Sequence, residues 1–331
     1  MERFALAAAV VLGFALTAAL CSLFVPLRRV LERREQQQQP VQSEQPRPAP
    51  LRAPLWGGLC AAAGTVAAVG VGWLAACVGQ PELLGSEGRL MTRLLTALAG
   101  SLAFGAVGLA EDVARMRSPA ALGLRRDVRL LLEALAAAFV LLLLRAAGCL
   151  PRGLGVPGAG YVLLGSAVPF LWAVLMVALA ECARIAERDE GAVCGAAFVA
   201  MLALMMVEAG LGVSGLAVLP AALAGALVAL GLWAFPPARL GVGCCGSLLA
   251  AGAIGCIPLS LDMTSLTVPL ALPFWAAGGL LAAQLLCAKR TGKPLRCWVK
   301  KHKMSPETVF LCSFALSAVG YVLALALLRW C

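Results

Sequence analysis

The chain has 331 residues, of which 61% are hydrophobic and 13% charged, with a formal net charge of +10 and a mean hydropathy of +0.91. A soluble domain is roughly half apolar and a quarter charged, so these values exclude an ordinary soluble globular protein and point to a bilayer. The positive charge argues poorly for nucleic acid, because the basic residues lie within a few positions of the ends of apolar runs; no nucleic-acid partner is expected.

A hydrocarbon core of about 30 Å needs about 20 apolar residues per helix. Such runs give ten predicted spans, at roughly 4–26, 54–78, 91–110, 129–148, 160–182, 191–210, 215–235, 246–261, 267–288 and 307–329. The first is read as a retained helix. Ala18-Ala19-Leu20-Cys21 faintly resembles a lipoprotein cleavage box, but Leu20 is too large for its place, and the run is long enough to cross. Residues 27–53 follow as a polar loop with a Gln run and several prolines, expected to be flexible. After the third span, a carboxylate pair opens the loop 111–129. "GCLPRGLGVPGAG", residues 148–160, is a Gly/Pro-rich turn between the fourth and fifth spans. The eighth span is the shortest and holds Pro258. That suits a helix buried among others, where neighbours satisfy freed backbone groups. Residues 289–306 form a short basic loop. No long soluble segment is left over, so residues 1–331 are read as one all-α polytopic membrane domain.

Ten spans leave five loops on one side, and these hold 21 of the 27 Lys and Arg residues. The positive-inside rule puts them in the cytoplasm and both termini on the outer side. The thirteen cysteines are scattered, mostly inside spans, with no C-x-x-C. Buried Cys behaves as a small apolar residue, so no disulfide framework is expected; Cys244-Cys245 is the one pair on a cytoplasmic loop.

Polar chemistry gathers at the cytoplasmic ends. Glu111-Asp112 close the third span, with Arg115 one turn on. Glu181, Glu187, Asp189 and Glu190 lie where the fifth span meets the sixth. "FPPARLGVGCCGSLLAAG", residues 235–252, carries glycines 241, 243 and 246, whose amides could approach an anion. The fifth loop offers Lys293, His302 and six further basic residues. Each group also has a plain structural reading. A carboxylate pair at a span end is a solvated collar, and glycines serve tight helix packing. A basic loop contacts anionic headgroups. Arg184 lies three residues from Glu181, within reach of an ion pair on one helix face.

Taken together these ends resemble the polyprenyl-phosphate phosphosugar transferases of the MraY/WecA family, and phospho-N-acetylmuramoyl-pentapeptide transferase in particular. "APLWGG" (53–58) is similar to the family's Thr-Pro-Thr-Met-Gly-Gly, and "FGAVGLAEDVAR" (104–115) to its Gly-Phe-x-Asp-Asp-x-x-Lys. "GLRRDVRLLLE" (123–133) resembles Gly-Leu-Ser-x-x-x-Lys-x-x-x-Gln, which sets Arg129 at the lysine. "ECARIAERDEGA" (181–192) stands where Asn-Ala-Val-Asn-Leu-Thr-Asp-Gly-Leu-Asp-Gly-Leu belongs. Residues 235–252 resemble Phe-x-Pro-Ala-x-x-Phe-Met-Gly-Asp-x-Gly-Ser-Leu, and "KRTGKPL" (289–295) the segment before a His-rich loop.

The resemblance implies a bundle of ten helices with both termini outside. It also implies transfer of a sugar phosphate from a UDP-sugar to a polyprenyl phosphate with release of UMP, using Mg²⁺ held by carboxylates. Glu111, Asp112, Glu187 and Glu190 then fall on catalytic positions. Glu181, Arg129, Gly243, Gly246, Ser247, Lys293 and His302 fall on substrate-binding ones. Arg184 stands at the second asparagine and Cys244 at the metal-binding aspartate. Mg²⁺ demands near-octahedral hard oxygen ligands, and a thiol is a poor substitute. Metal polarisation of a phosphoryl group supplies several kcal/mol, so no metal is expected in the usual form.

The implied partners are membrane lipid, undecaprenyl phosphate and UDP-N-acetylmuramoyl-pentapeptide or another UDP-sugar, with a homodimer by resemblance, in the bacterial inner membrane. Three readings stay open: a pseudoenzyme that keeps the fold and binds lipid phosphate or nucleotide sugar, which the chemistry favours; an active transferase with a rearranged carboxylate site; and a ligand-free scaffold.

Overall fold

The computed structural model describes residues 2–38, 56–79, 89–117, 123–151, 153–156, 160–163, 165, 167–187, 191–213, 215–235, 238–291 and 305–330. In chain order these form α1 (Glu2–Gln38), α2 (Gly57–Gly79), α3 (Arg89–Arg117), α4 (Arg126–Ala146), β1 (Gly153–Val156), β2 (Gly160–Leu163), α5 (Ala167–Ala186), α6 (Ala192–Gly210), α7 (Val218–Ala234) and α8 (Gly243–Ser260). A 3₁₀ turn (Thr264–Leu266), the single-turn α9 (Thr267–Leu270), α10 (Leu272–Thr291) and α11 (Pro306–Trp330) complete them. The ten long helices among the described residues fall on the ten predicted spans, and the chain is an all-α polytopic membrane protein. Seven helices are long and apolar enough to cross by themselves, eight if the bent α9–α10 pair is one span. Of the other two, α7 is apolar but only 17 residues long. α4 carries Arg126, Asp127, Arg129, Glu133 and Arg145.

Four boundaries differ from the sequence reading. α1 continues past position 26 to Gln38, through a Leu-, Glu-, Arg- and Gln-rich stretch of good helix formers, so the polar loop starts later than expected. α3 runs on to Arg117, which places the carboxylate pair inside a helix rather than beyond its end. The fifth span does not begin at 160. There β2 pairs antiparallel with β1, Gly153 opposite Leu163, and the helix starts at Ala167. Hydropathy alone cannot separate a short apolar strand from the start of a helix. The ninth span is broken, its two pieces meeting at 63°. Pro273 has no N–H to offer the Pro269 carbonyl, and Gly320 of α11 lies against that oxygen.

The helix that matters most is α8. Every one of its residues is buried, and its sequence is mostly Gly, Ala, Cys and Leu. In lipid, helices associate through small residues that let backbones approach, and α8 is approached this way on several sides. A Cβ on Gly58 of α2 would land on the Gly246 amide nitrogen, and one on Gly108 of α3 on the Cys244 carbonyl. Gly255 faces Met176 of α5. Trp172 of α5 donates its indole N–H to the Gly255 carbonyl at 3.2 Å, three residues before Pro258. That buried proline is the one anticipated from the sequence. The result pins the N-terminus of α8 against the polar end of α3, where the site forms.

Candidate functional site

The site is built at the end of α3. Because α3 outlasts its apolar stretch, Glu111, Asp112 and Arg115 share one helical face at spacings of three and four. Asp112 is 1% exposed. Its Oδ1 accepts the Cys244 backbone N–H at 3.0 Å, and its Oδ2 accepts that of Cys245 at 2.9 Å. The first N–H groups of any helix lack partners within it, and a carboxylate there also meets the positive end of the helix dipole. Asp112 therefore caps α8 from another helix. Gly243, at φ +70°, makes the turn that presents these amides. That left-handed conformation is one that glycine adopts without a Cβ penalty.

Around this cap runs a network of charges. Arg115 donates from Nη2 to Glu111 Oε1 at 2.8 Å and from Nη1 to Glu187 Oε2 at 3.4 Å. Its Nη1 also stands 4.0 Å from Asp112 Oδ1. Arg129 of α4 donates from Nε to Glu181 Oε1 at 2.7 Å and lies 3.6 Å from Glu111 Oε1. Arg184 donates from Nη2 to Glu181 Oε2 at 2.7 Å, the pairing its spacing predicts. The Cys244 thiol donates to Glu187 Oε2 at 3.0 Å. Four carboxylates thus share three guanidiniums in a largely buried pocket where α3, α4, α5 and α8 meet.

The structure brings together Glu111, Asp112, Arg129, Glu181, Glu187 and Cys244 from the sequence-level set. Three expected substrate residues have other work. Ser247 turns its hydroxyl back to the Gly243 and Cys244 carbonyls of its own helix, at 3.3 and 3.1 Å. Gly246 is a packing glycine against Gly58, and Gly243 makes the turn whose amides hold the Asp112 carboxylate. Glu190, Lys293 and His302 lie outside the described residues.

Two features escaped the sequence reading. Glu133 of α4 is fully buried, and neither of its carboxylate oxygens has a hydrogen-bond partner. It lies one turn from Arg129. Glu208 of α6 is likewise fully buried with both oxygens unpartnered. An ionisable residue inside a span is a signal in its own right, and it was available at both positions.

The magnesium implied by the resemblance can be tested against these donors. Each Asp112 oxygen already accepts one α8 amide and keeps a second lone pair. Glu187 Oε2 is shared by a guanidinium and a thiol, and a sulfur stands where a hard oxygen is needed. The Arg115 cation reaches all three neighbouring carboxylates. Mg²⁺ asks for near-ideal octahedral oxygen ligands at about 2.0–2.1 Å, and this donor set does not fit it.

No curated protein matches the chain. A family model, glycosyl transferase family 4, matches residues 94–262. That is 169 of the 331 residues, and it spans α3 to the end of α8 with the whole charge network inside it. The match agrees in kind with the resemblance drawn from the quoted motifs, that of a membrane transferase of sugar phosphates. By extent of match and by the placement of its polar residues, the chain belongs to glycosyl transferase family 4.

Proposed function

We propose that this chain is a pseudoenzyme within its family. It keeps the transferase frame, does not run the magnesium-dependent transfer of a sugar phosphate, and holds a polyprenyl phosphate or a nucleotide sugar at the cytoplasmic face of a bacterial inner membrane. One observation carries the reading: among the described residues the carboxylates of this polar cluster each accept hydrogen bonds from within the chain, and a thiol stands at the position that resembles the family's metal-binding aspartate. Asp112 is bound by two backbone amides. Glu111 and Glu187 are bound by Arg115, and Glu181 by Arg129 and Arg184.

The physics supports an inactive ground state. A divalent ion at a phosphoryl group supplies several kcal/mol, and each ~1.4 kcal/mol is tenfold in rate. The lipid would be undecaprenyl phosphate, and the nucleotide sugar UDP-N-acetylmuramoyl-pentapeptide or a related UDP-N-acetylhexosamine. We infer a role beside an active transferase.

The test is UMP release by the purified full chain with undecaprenyl phosphate, the UDP-sugars and Mg²⁺ or Mn²⁺. The reading expects no metal-dependent UMP, together with a thermal shift on adding lipid phosphate or nucleotide sugar. Metal-dependent UMP that disappears in Asp112→Asn would overturn the pseudoenzyme. No thermal shift with any of these ligands would leave the scaffold reading in its place.

A further inference from the structure

Three donors of mixed chemistry converge beside the α8 cap. One ligand atom each from Asp112, Glu187 and Cys244 lies within 4.8 Å of the other two. They come from α3, the end of α5 and the start of α8, so the fold assembles them rather than the local sequence. Next to them, Glu111 is 2% exposed and leaves Oε2 without a hydrogen-bond partner. The polar core at this point holds more acceptor capacity than the chain fills.

Charge decides which ion suits this set. The hydrogen-bonded network has four carboxylates and three guanidiniums, a balance of one negative charge, with the buried and unpartnered Glu133 counted as its neutral acid. A divalent ion bound with the thiol intact would leave one positive charge buried. The same ion bound with the thiol proton released to solvent leaves the network neutral. An uncompensated buried charge is strongly destabilising, so the balance favours an ion that takes a thiolate. Zinc is such an ion. It accepts Cys sulfur at about 2.3 Å and carboxylate oxygen at about 2.0–2.2 Å, in tetrahedral sites of four ligands. The Sγ–Oε2 separation of 3.0 Å leaves the two donors close enough to share one ion after a small rearrangement. Three protein donors leave the fourth position for water. Beside the donors, Glu187 and Arg115 are partly exposed, with side chains 11% and 23% accessible.

We propose that this chain binds a thiophilic divalent cation of the zinc class, in place of the magnesium of its family, through Cys244 Sγ, a carboxylate oxygen of Asp112 and a carboxylate oxygen of Glu187. Binding forms one metal–sulfur bond and two metal–oxygen bonds, breaks the Cys244 S–H bond and releases one proton. No electron is transferred. The inference rests on the reading that the magnesium site has been dismantled, and it adds what occupies the remains.

Cobalt(II) is the probe, because thiolate–cobalt charge-transfer absorption reports the sulfur bond directly. The full chain in detergent is titrated with Co²⁺, then with Zn²⁺ in competition and with excess Mg²⁺. The expected result is one saturable thiolate–cobalt band per chain, displaced by Zn²⁺ and not by Mg²⁺. The band should be lost in Cys244→Ser, weakened about tenfold or more in Glu187→Gln, a change of about 1.4 kcal/mol, and kept in Cys312→Ser, which removes an exposed cysteine on α11. Thermal melts of each variant confirm that it is folded. Absence of a saturable band, or a band unchanged in Cys244→Ser, would overturn the proposal. Neither result touches the pseudoenzyme reading, which stands or falls on UMP release with Mg²⁺.

Discussion

Asp112→Asn isolates the feature that most separates a structural carboxylate from a catalytic one. In the folded chain both of its oxygens accept backbone N–H groups, at 3.0 and 2.9 Å, and the side chain is buried. Hydrogen bonds to charged groups contribute about 1.5–3 kcal/mol each, and a charge at a partly buried helix N-terminus adds up to ~2 kcal/mol. Asn keeps one acceptor and turns an N–H toward the second backbone N–H, so one bond is lost and the other becomes neutral. Relief of the buried charge returns part of the loss. The net destabilisation is about 2–3 kcal/mol by these terms. Denaturant titration in detergent reads it. Cys244→Ala is the comparison, since it removes only the thiol and preserves the amide; it should cost about 1 kcal/mol, one hydrogen bond. A change below ~0.5 kcal/mol in Asp112→Asn, the range of an ordinary surface substitution, would refute the capping role.

Other outcomes follow from the same geometry. Glu181→Gln leaves Arg129 and Arg184 without their shared anion and should destabilise by about 3 kcal/mol, the lower end for a broken buried pair. A double-mutant cycle with Arg184→Met should show that the two losses do not add. Glu133→Met should be neutral or stabilising in the same titration, because it removes two buried unpartnered oxygens and leaves no hydrogen-bond partner behind; a loss above ~2 kcal/mol would assign that carboxylate a partner. Gly108→Ala should fold poorly or lose more than ~2 kcal/mol by overpacking, since the added Cβ meets the Cys244 carbonyl. Gly70→Ala, where a Cβ meets nothing within 4 Å, should be tolerated, and melting curves of the pair separate the two.

The helical frame was legible in the sequence because a bilayer leaves few choices. Every apolar run long enough to cross became a helix, and the buried Pro258 pointed to the central one. What composition missed were continuations and breaks. α1 and α3 run past their apolar stretches because Arg, Glu and Gln are good helix formers once a helix has started. The strand at 160–163 and the bend at 63° depend on pairing and on Pro273, to which mean hydropathy is blind. The site was legible in part. The spacing of Glu181 and Arg184 gave their pair, and the motif comparison singled out Glu111, Asp112, Glu187 and Cys244. The two amides that hold Asp112 come from 132 and 133 residues away, and no local pattern announces such a cap. Arg115 looked like a collar residue one turn from a carboxylate pair, and only the fold shows it reaching Glu187 as well. Ser247 and Gly246 fitted a motif, yet here the Ser247 hydroxyl bonds within α8 and Gly246 packs against Gly58 of α2.

Mn²⁺ is the sharpest probe of the proposed loss of the magnesium site, since it takes the hard oxygen ligands that Mg²⁺ takes and its free form is counted by electron paramagnetic resonance. Titrated into the purified full chain with undecaprenyl phosphate and UDP-sugar present, Mn²⁺ should stay free at stoichiometric protein, with the same signal in the parent and in Asp112→Asn. Saturable loss of one free Mn²⁺ per chain, abolished by Asp112→Asn, would show that the carboxylates do hold the family's ion despite the sulfur at position 244.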